Sequence, residues 1–437
     1  MATRTWTAAV NTDFTNTDNW TETAYAVTGD TIVIASATAP TTHRPMTGTF
    51  HFSTLGAPTG SYNIPAWLDG ASIGLITFAH DDANTLTLPV AITCQRVTLT
   101  SGILACANPA TTITISGCAA GDWGVLGFAT IPPVVGTLEF VLASDCWFCF
   151  KDGRLFAPGL TINPGVTVLS NSIACVRKCT IGAGGSFTSA ENSLQIYPTA
   201  DDALKNSGTI SVAYFIFGLD AMPATSNYTQ TTPLGNFTIT NNAATYGFRI
   251  GNSFGTPDHR TITFACDLNL GMVNITSIHG PDSASGSGGL IMAAGCNLTC
   301  GAIIEGYETG VNARSGRLTL NAGTHTIGAV SVDPNSVTGK NHQVNYGGVI
   351  SLAGNQTLAY IACDFRNAIF CGSGRTLNGA DAISLASANA IIQGGASVVT
   401  INNMTGSVGT IFARRWTGTG NGTAVKTLAP HWLLGMR

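Results

Sequence analysis

The stretch "ITFACDLNLGMVNITS", residues 262–277, decides how this chain is read, because it recurs. "LIMAAGCNLTCGAIIE" follows from Leu290, "LTLNAGTHTIGAVSVD" from Leu318 and "ISLAGNQTLAYIACDF" from Ile350. Each copy holds two apolar-alternating runs joined by a small-residue corner. Alternation of period two is the pattern of a strand with one buried face. Gly271, Gly301, Gly328 and Ala359 take the same place in the second run, at successive spacings of 30, 27 and 31 residues. That uneven period suits a coil whose corners vary in length while its strands keep register.

The same pattern appears near the start as "LTLPVAITCQRVTLTS" from Leu86, where Cys94 aligns with Leu270, Val97 with Val273 and Leu99 with Ile275. Cysteine here replaces an aliphatic residue at an inward position, as Cys363 does in the copy at Ile350. Cys94, Cys106 and Cys118 follow one another at an interval of twelve. An even interval can return a strand to the same face, so all three are expected to be reduced core side chains. Corners are marked by Gly, Asn and Pro, as in "NPG" at Asn163 and "SGSGG" at Ser285. The best helical candidate is "ADDALKNSG" from Ala200, barely two turns long.

A coil of about 27–31 residues with three strands and three corners describes an all-β, right-handed parallel β-helix, or β-solenoid. The expected organisation is a capping or attachment segment over 1–75, the β-helix over 76–412, and a C-terminal cap or docking tail over 413–437. Capping is a physical need, since an open coil edge presents unpaired backbone groups to any other strand.

Composition agrees. Of 437 residues 44% are hydrophobic and only 10% charged, and the strong helix formers Glu, Lys, Arg and Gln are scarce beside Thr, Ser and Asn. The net charge of -4 offers no basic field for nucleic acid. No run approaches eighteen apolar residues, so no membrane insertion is expected. The opening "MATRTWTAAVNTDF" lacks the apolar core of a signal peptide, so synthesis in a cytosol with reduced cysteines is expected.

Motifs that carry chemistry are thin. The pair Cys146 and Cys149 in "CWFC" has redox spacing but sits in an apolar strand-like run, without the helix N-terminus that lowers a thiol pKa. Cys175 with Cys179, and Cys296 with Cys300, lack the nearby histidines or second matched pair of a zinc site. No metal and no cofactor is expected. Glycoside cleavage needs two carboxylates facing one groove. Glu305 and Asp364 are the candidates, since both fall at or just after the end of the same strand of the repeat, with Glu308 and Asp333 behind them. Acidic residues at coil corners are usually solvated turn residues, and the expectation leans against catalysis.

Residues 3–21, "TRTWTAAVNTDFTNTDNWT" with Trp6, Asp13, Asn19 and Trp20, resemble a segment at the start of some β-helical virion and adhesin-like proteins of phages and bacteria. Phe14 stands where a Trp is more usual there. The resemblance to phage virion β-helix proteins, of the tail fibre, tailspike or head-decoration type, implies a structural or host-contact role in a particle, acting by multivalent binding. Other virion proteins, a host surface glycan and further copies in a homotrimer are the expected partners, and the virion the expected location. Trp6, Asp13, Asn19, Trp20, Trp416 and Trp432 are the docking candidates. A polysaccharide lyase or hydrolase on the same scaffold, and a bacterial adhesin-like scaffold, are the alternatives.

Overall fold

Runs rich in Thr, Val and Ile favour extended backbone. In the computed structural model the one helical turn among the described residues is the 3-10 turn Thr17–Asn19. The structure describes most of 2–34, the strands between 49 and 106, and residues 111–127, 138–150, 158–218, 227–240, 248–251, 261–276 and 289–305. Beyond 305 it describes the strands from 317 to 428. The strands pair in parallel, coil upon coil, as a β-solenoid. Two units divide the chain, the first built mainly from residues 1–197 and the second mainly from 213–437.

In the first unit the strands Thr3–Trp6, Thr31–Ile34, Thr49–Ser53, Ser72–Ala79 and Ile92–Ser101 pair in that order. Parallel pairing thus begins well inside the segment read as a cap. Two ladders continue from Ile92–Ser101. One runs through Thr112–Ile115, Glu139–Leu142, Gly159–Ile162, Lys178–Ile181 and Leu204–Asn206. The other runs through Trp123–Gly127, Cys146–Phe150 and Thr167–Leu169 to Ser186–Ile196. A third, short ladder joins Tyr62–Asn63, Thr85–Leu88 and Ile103–Cys106.

Register turns this pairing into columns. Ile73, Cys94, Ile115, Leu142, Ile162 and Ile181 stack as register partners, and all are buried. Beside them Ile92, Ile113, Phe140, Leu160, Cys179 and Leu204 form a second buried column. Each such aliphatic or aromatic side chain contributes about 1.5–3 kcal/mol by leaving water. Cys94 therefore occupies the aliphatic position that the repeat assigns to it. The steps along its column run from 19 residues (Ile162 to Ile181) to 27 (Ile115 to Leu142), shorter than the 27–31 expected. Short corners explain this: in "GAGG" the chain reverses within four residues, with Gly184 at φ +71, where a side chain would be strained.

The second unit carries the repeat. Ile262, Leu290 and Leu318 are register partners, and so are Leu270, Cys300 and Ile327, which places Gly271, Gly301 and Gly328 at one level. The fourth copy is displaced. Leu318 pairs with Val344, while Ile350 pairs with His325, so Val349–Leu352 is the second strand of its coil and not the first. Period-two alternation is alike in every strand of a coil, so the pattern alone cannot say which strand a run supplies. Parallel pairing continues past 412 to Thr427–Leu428. Phe215, Phe217, Phe248 and Phe264 pack as an interior cluster, Phe215 stacked on Phe248 with ring centroids 5.4 Å apart.

The helix expected from Ala200 is absent: its residues give a turn and the strand Leu204–Asn206. Asp202 sits there at φ +52 and accepts the N–H groups of Thr231 (2.7 Å) and Thr232 (3.0 Å). Asp201 accepts the N–H of Thr229 at 2.7 Å. Asp and Asn tolerate this backbone region, and each carboxylate ties its corner to a later strand.

Two outcomes are expected. Phe140→Ala empties a site lined by Phe148 and Phe150 and costs about 3–5 kcal/mol, read as a lowered unfolding midpoint; an unchanged midpoint would mean the column is not core. Burial alone would raise the Asp202 pKa, but the hydrogen bonds from Thr232 and Thr231 bring it below the usual carboxylate value. Its stabilisation is thus present above the unfolded-state pKa and lost as pH falls through the lowered folded-state pKa. Asp202→Asn should lower the thermal midpoint at pH 7, and the gap to the native chain should close in that acidic range; a gap independent of pH would contradict this.

Candidate functional site

The N-terminal residues singled out above form a clasp. Trp6 and Trp20 are both interior, meet edge to face with centroids 5.6 Å apart, and make the antiparallel bridge Trp6–Trp20. Asn19 is fully buried; its Nδ2 donates to Asn11 Oδ1 and the Asp13 carbonyl, and its Oδ1 accepts the N–H groups of Val10 and Asn11. Thr5 N–H donates to Glu22 Oε2 at 2.7 Å, and Thr7 N–H donates to the Asn19 carbonyl. The segment thereby covers the outer edge of strand Thr3–Trp6 and spends its tryptophans and Asn19 internally. Asp13, half-buried, caps Thr15 N–H. At the other end, Trp416 pairs in register with Val399, and Trp432 lies outside the described residues.

Of the acidic candidates, Glu305 is the last residue of its strand and stands in register between Ile275 and Val332. Asp364, Glu308 and Asp333 lie outside the described residues.

Strand parity resolves the cysteines. Cys146 and Cys149 are three apart in one strand, so their side chains leave opposite faces of the sheet. Cys94 is interior, Cys106 pairs in register with Leu88 on the short third ladder, and Cys118 is half-exposed on a corner with its Sγ near the Asp122 and Ala119 carbonyls. The interval of twelve therefore spans three different places, and Cys118 is not a core residue. Burial pushes the Cys146, Cys179 and Cys300 thiols up to about 12 and Cys94 higher still. Among the described residues no group of three or more His, Cys, Asp or Glu is placed to hold a metal ion.

The outward positions of the first unit stack as regularly as the inward ones. Thr93, Thr114, Val141, Thr161, Thr180 and Lys205 form one row; Thr112, Glu139, Gly159 and Lys178 form another. Lys178 Nζ lies 2.7 Å from Glu139 Oε2, and Thr161 donates to Oε1 at 2.6 Å. The ion pair spans two coils because Gly159 lies between: a Cβ there would come within 2.8 Å of Lys178 Cε.

On the other ladder the outward face becomes aromatic. Trp123 and Trp147 are register partners with centroids 5.6 Å apart and planes inclined by 46°, both only half-buried, and Leu169 continues the row. A corner aspartate precedes each indole in the chain. Asp122 precedes Trp123 and lies 3.7 Å from Arg96 Nη1, and its carbonyl accepts Trp147 N–H at 2.8 Å. Asp145, also exposed, accepts Thr167 N–H through Oδ1 at 2.7 Å. Sequence reasoning missed this pair. The available signal was a corner Asp followed within two residues by Trp, in "GDWG" and "SDCW". The arrangement offers planar apolar surface beside hydrogen-bonding charge, which is binding chemistry rather than proton transfer.

Comparison with known proteins places nothing beside this chain: no family model, no curated protein and no solved structure matches it.

Accessibility orders the thiols. Among the nine cysteines whose burial the structure describes, Cys118 and Cys296 should alkylate first in the native protein, with Cys94 and Cys179 protected until unfolding. Peptide mapping after brief maleimide treatment reads this out, and early labelling of Cys94 or Cys179 would contradict the buried columns.

Proposed function

We propose that this chain is a structural, host-contact component of a phage particle, a tail fibre, spike or capsid decoration, that works by multivalent binding. The observation that carries the reading is the outward face of the first unit, where like side chains recur coil after coil at about the 4.8 Å strand spacing. A ligand that is itself repetitive meets such a face at many points, and each added contact is intramolecular once the first has formed. Rows of threonine hydroxyls, a cross-coil ion pair and an indole pair suit a surface glycan or the regular surface of a capsid. The N-terminal resemblance supports the same reading, because its residues build a clasp that covers a strand edge and leaves the solenoid free of edge pairing there. Assembly as a homotrimer fits, since closed symmetry multiplies the binding faces.

Proteomics of gradient-purified particles from the phage that encodes the chain tests this. The chain should co-purify with the tail or head proteins at a fixed stoichiometry. Its presence in the lysate but absence from intact particles would remove the virion reading.

A further inference from the structure

We infer that Trp123 and Trp147, with Arg96 on the neighbouring strand and Asp122 and Asp145 on the corners that precede the two indoles, form a subsite for a neutral pyranose of a polysaccharide. The inference rests on the binding reading above and names the ligand class at one place on it. Indole on an outward strand position leaves apolar surface in water, and the rows of the neighbouring ladder carry mostly Thr and charged residues instead. The two rings are contributed by successive coils and inclined by 46°, which makes a stepped platform and not a single closed stack. The face of an indole carries negative π density, and the C–H bonds on one side of a pyranose ring present matching weak positive charge. Hydroxyl groups at the ring's rim then need donors and acceptors that are already fixed. Arg96 and Asp122, 42% and 52% exposed, hold each other at 3.7 Å and leave further N–H groups and lone pairs unused at their free edges. Asp145 spends Oδ1 on Thr167 N–H, which fixes its carboxylate on the corner.

Charge selects among sugars. Among the described residues of the site, the carboxylates of Asp122 and Asp145 outnumber the one guanidinium of Arg96, a balance that disfavours uronic or sialic acid units and accepts neutral hexose.

The test uses the full chain and biolayer interferometry against immobilised galactan, glucan and mannan, with polygalacturonate and polysialate as the acidic counterparts. Binding to at least one neutral polysaccharide is expected, with little change between low and high salt. Trp123→Ala and Trp147→Ala should each weaken it about tenfold or more, the scale of an aromatic anchor, with circular dichroism and thermal midpoint unchanged. The double variant Arg96→Gln with Asp122→Asn, confined to an exposed pair, should weaken it severalfold. Should a tryptophan variant fail to fold, that double variant decides, together with protection of the native chain's tryptophan fluorescence from acrylamide by saturating neutral polysaccharide. Absence of neutral-glycan binding, native affinity in all three variants, or preference for the acidic polymers overturns the subsite. Particle proteomics is independent: a chain found in particles without neutral-glycan binding overturns the subsite alone, and the reverse result overturns the virion reading alone.

Discussion

Each coil gives its backbone N–H and C=O groups to the coils before and after it, and every other feature of the molecule depends on that ladder. Buried backbone polar groups must be paired. A strand satisfied by its neighbours is therefore free to carry almost any side chain, provided that it respects the alternation of faces. This is why cysteine can stand between isoleucines at Cys94, and phenylalanine between Ile113 and Leu160 at Phe140. It is also why corners range from the four residues of "GAGG" to much longer connections without disturbing the columns.

What the sequence discloses follows from the same constraint. The register of Ile262, Leu290 and Leu318 was legible because three coils share both strand pattern and corner glycine. The displacement of Ile350 was not, because alternation is identical in every strand and the corner that would index it differs. The shorter coils of the first unit escaped a search tuned to thirty residues. Asp202 shows another limit: the stretch read as the best helical candidate gives a turn and a strand, and its carboxylates satisfy backbone N–H groups about thirty residues away. The candidate site was the least legible of all. Trp123 and Trp147 are 24 residues apart, outside the 27–31 residue period legible in the sequence, and only the register makes them neighbours.

The two ladders of the first unit use their outward faces differently. One is hydrophilic, with threonines and an ion pair whose reach depends on the missing side chain of Gly159. Exposed ion pairs contribute little to stability, about 0–1 kcal/mol, so their value here lies in what they present to a neighbour. The other is aromatic and bordered by acid.

The clasp near the N-terminus has a consequence for how the chain comes into being. Residues up to Ile34 already contain the clasp, the ion pair of Arg4 with Asp30, and the first parallel pair of strands. A ribosome adds about 5–20 residues per second, so a coil of some twenty residues takes about 1–4 s to emerge. Hairpin pairing takes about 1–10 μs; parallel pairing across a coil is slower, since its loop must close first, but it is still local in sequence. Each coil thus has ample time to settle on the one before it, and the clasped strand provides a template with only one face open to growth. Folding becomes vectorial, laid down in the order of synthesis, and the most aggregation-prone surface at any moment is the last coil made.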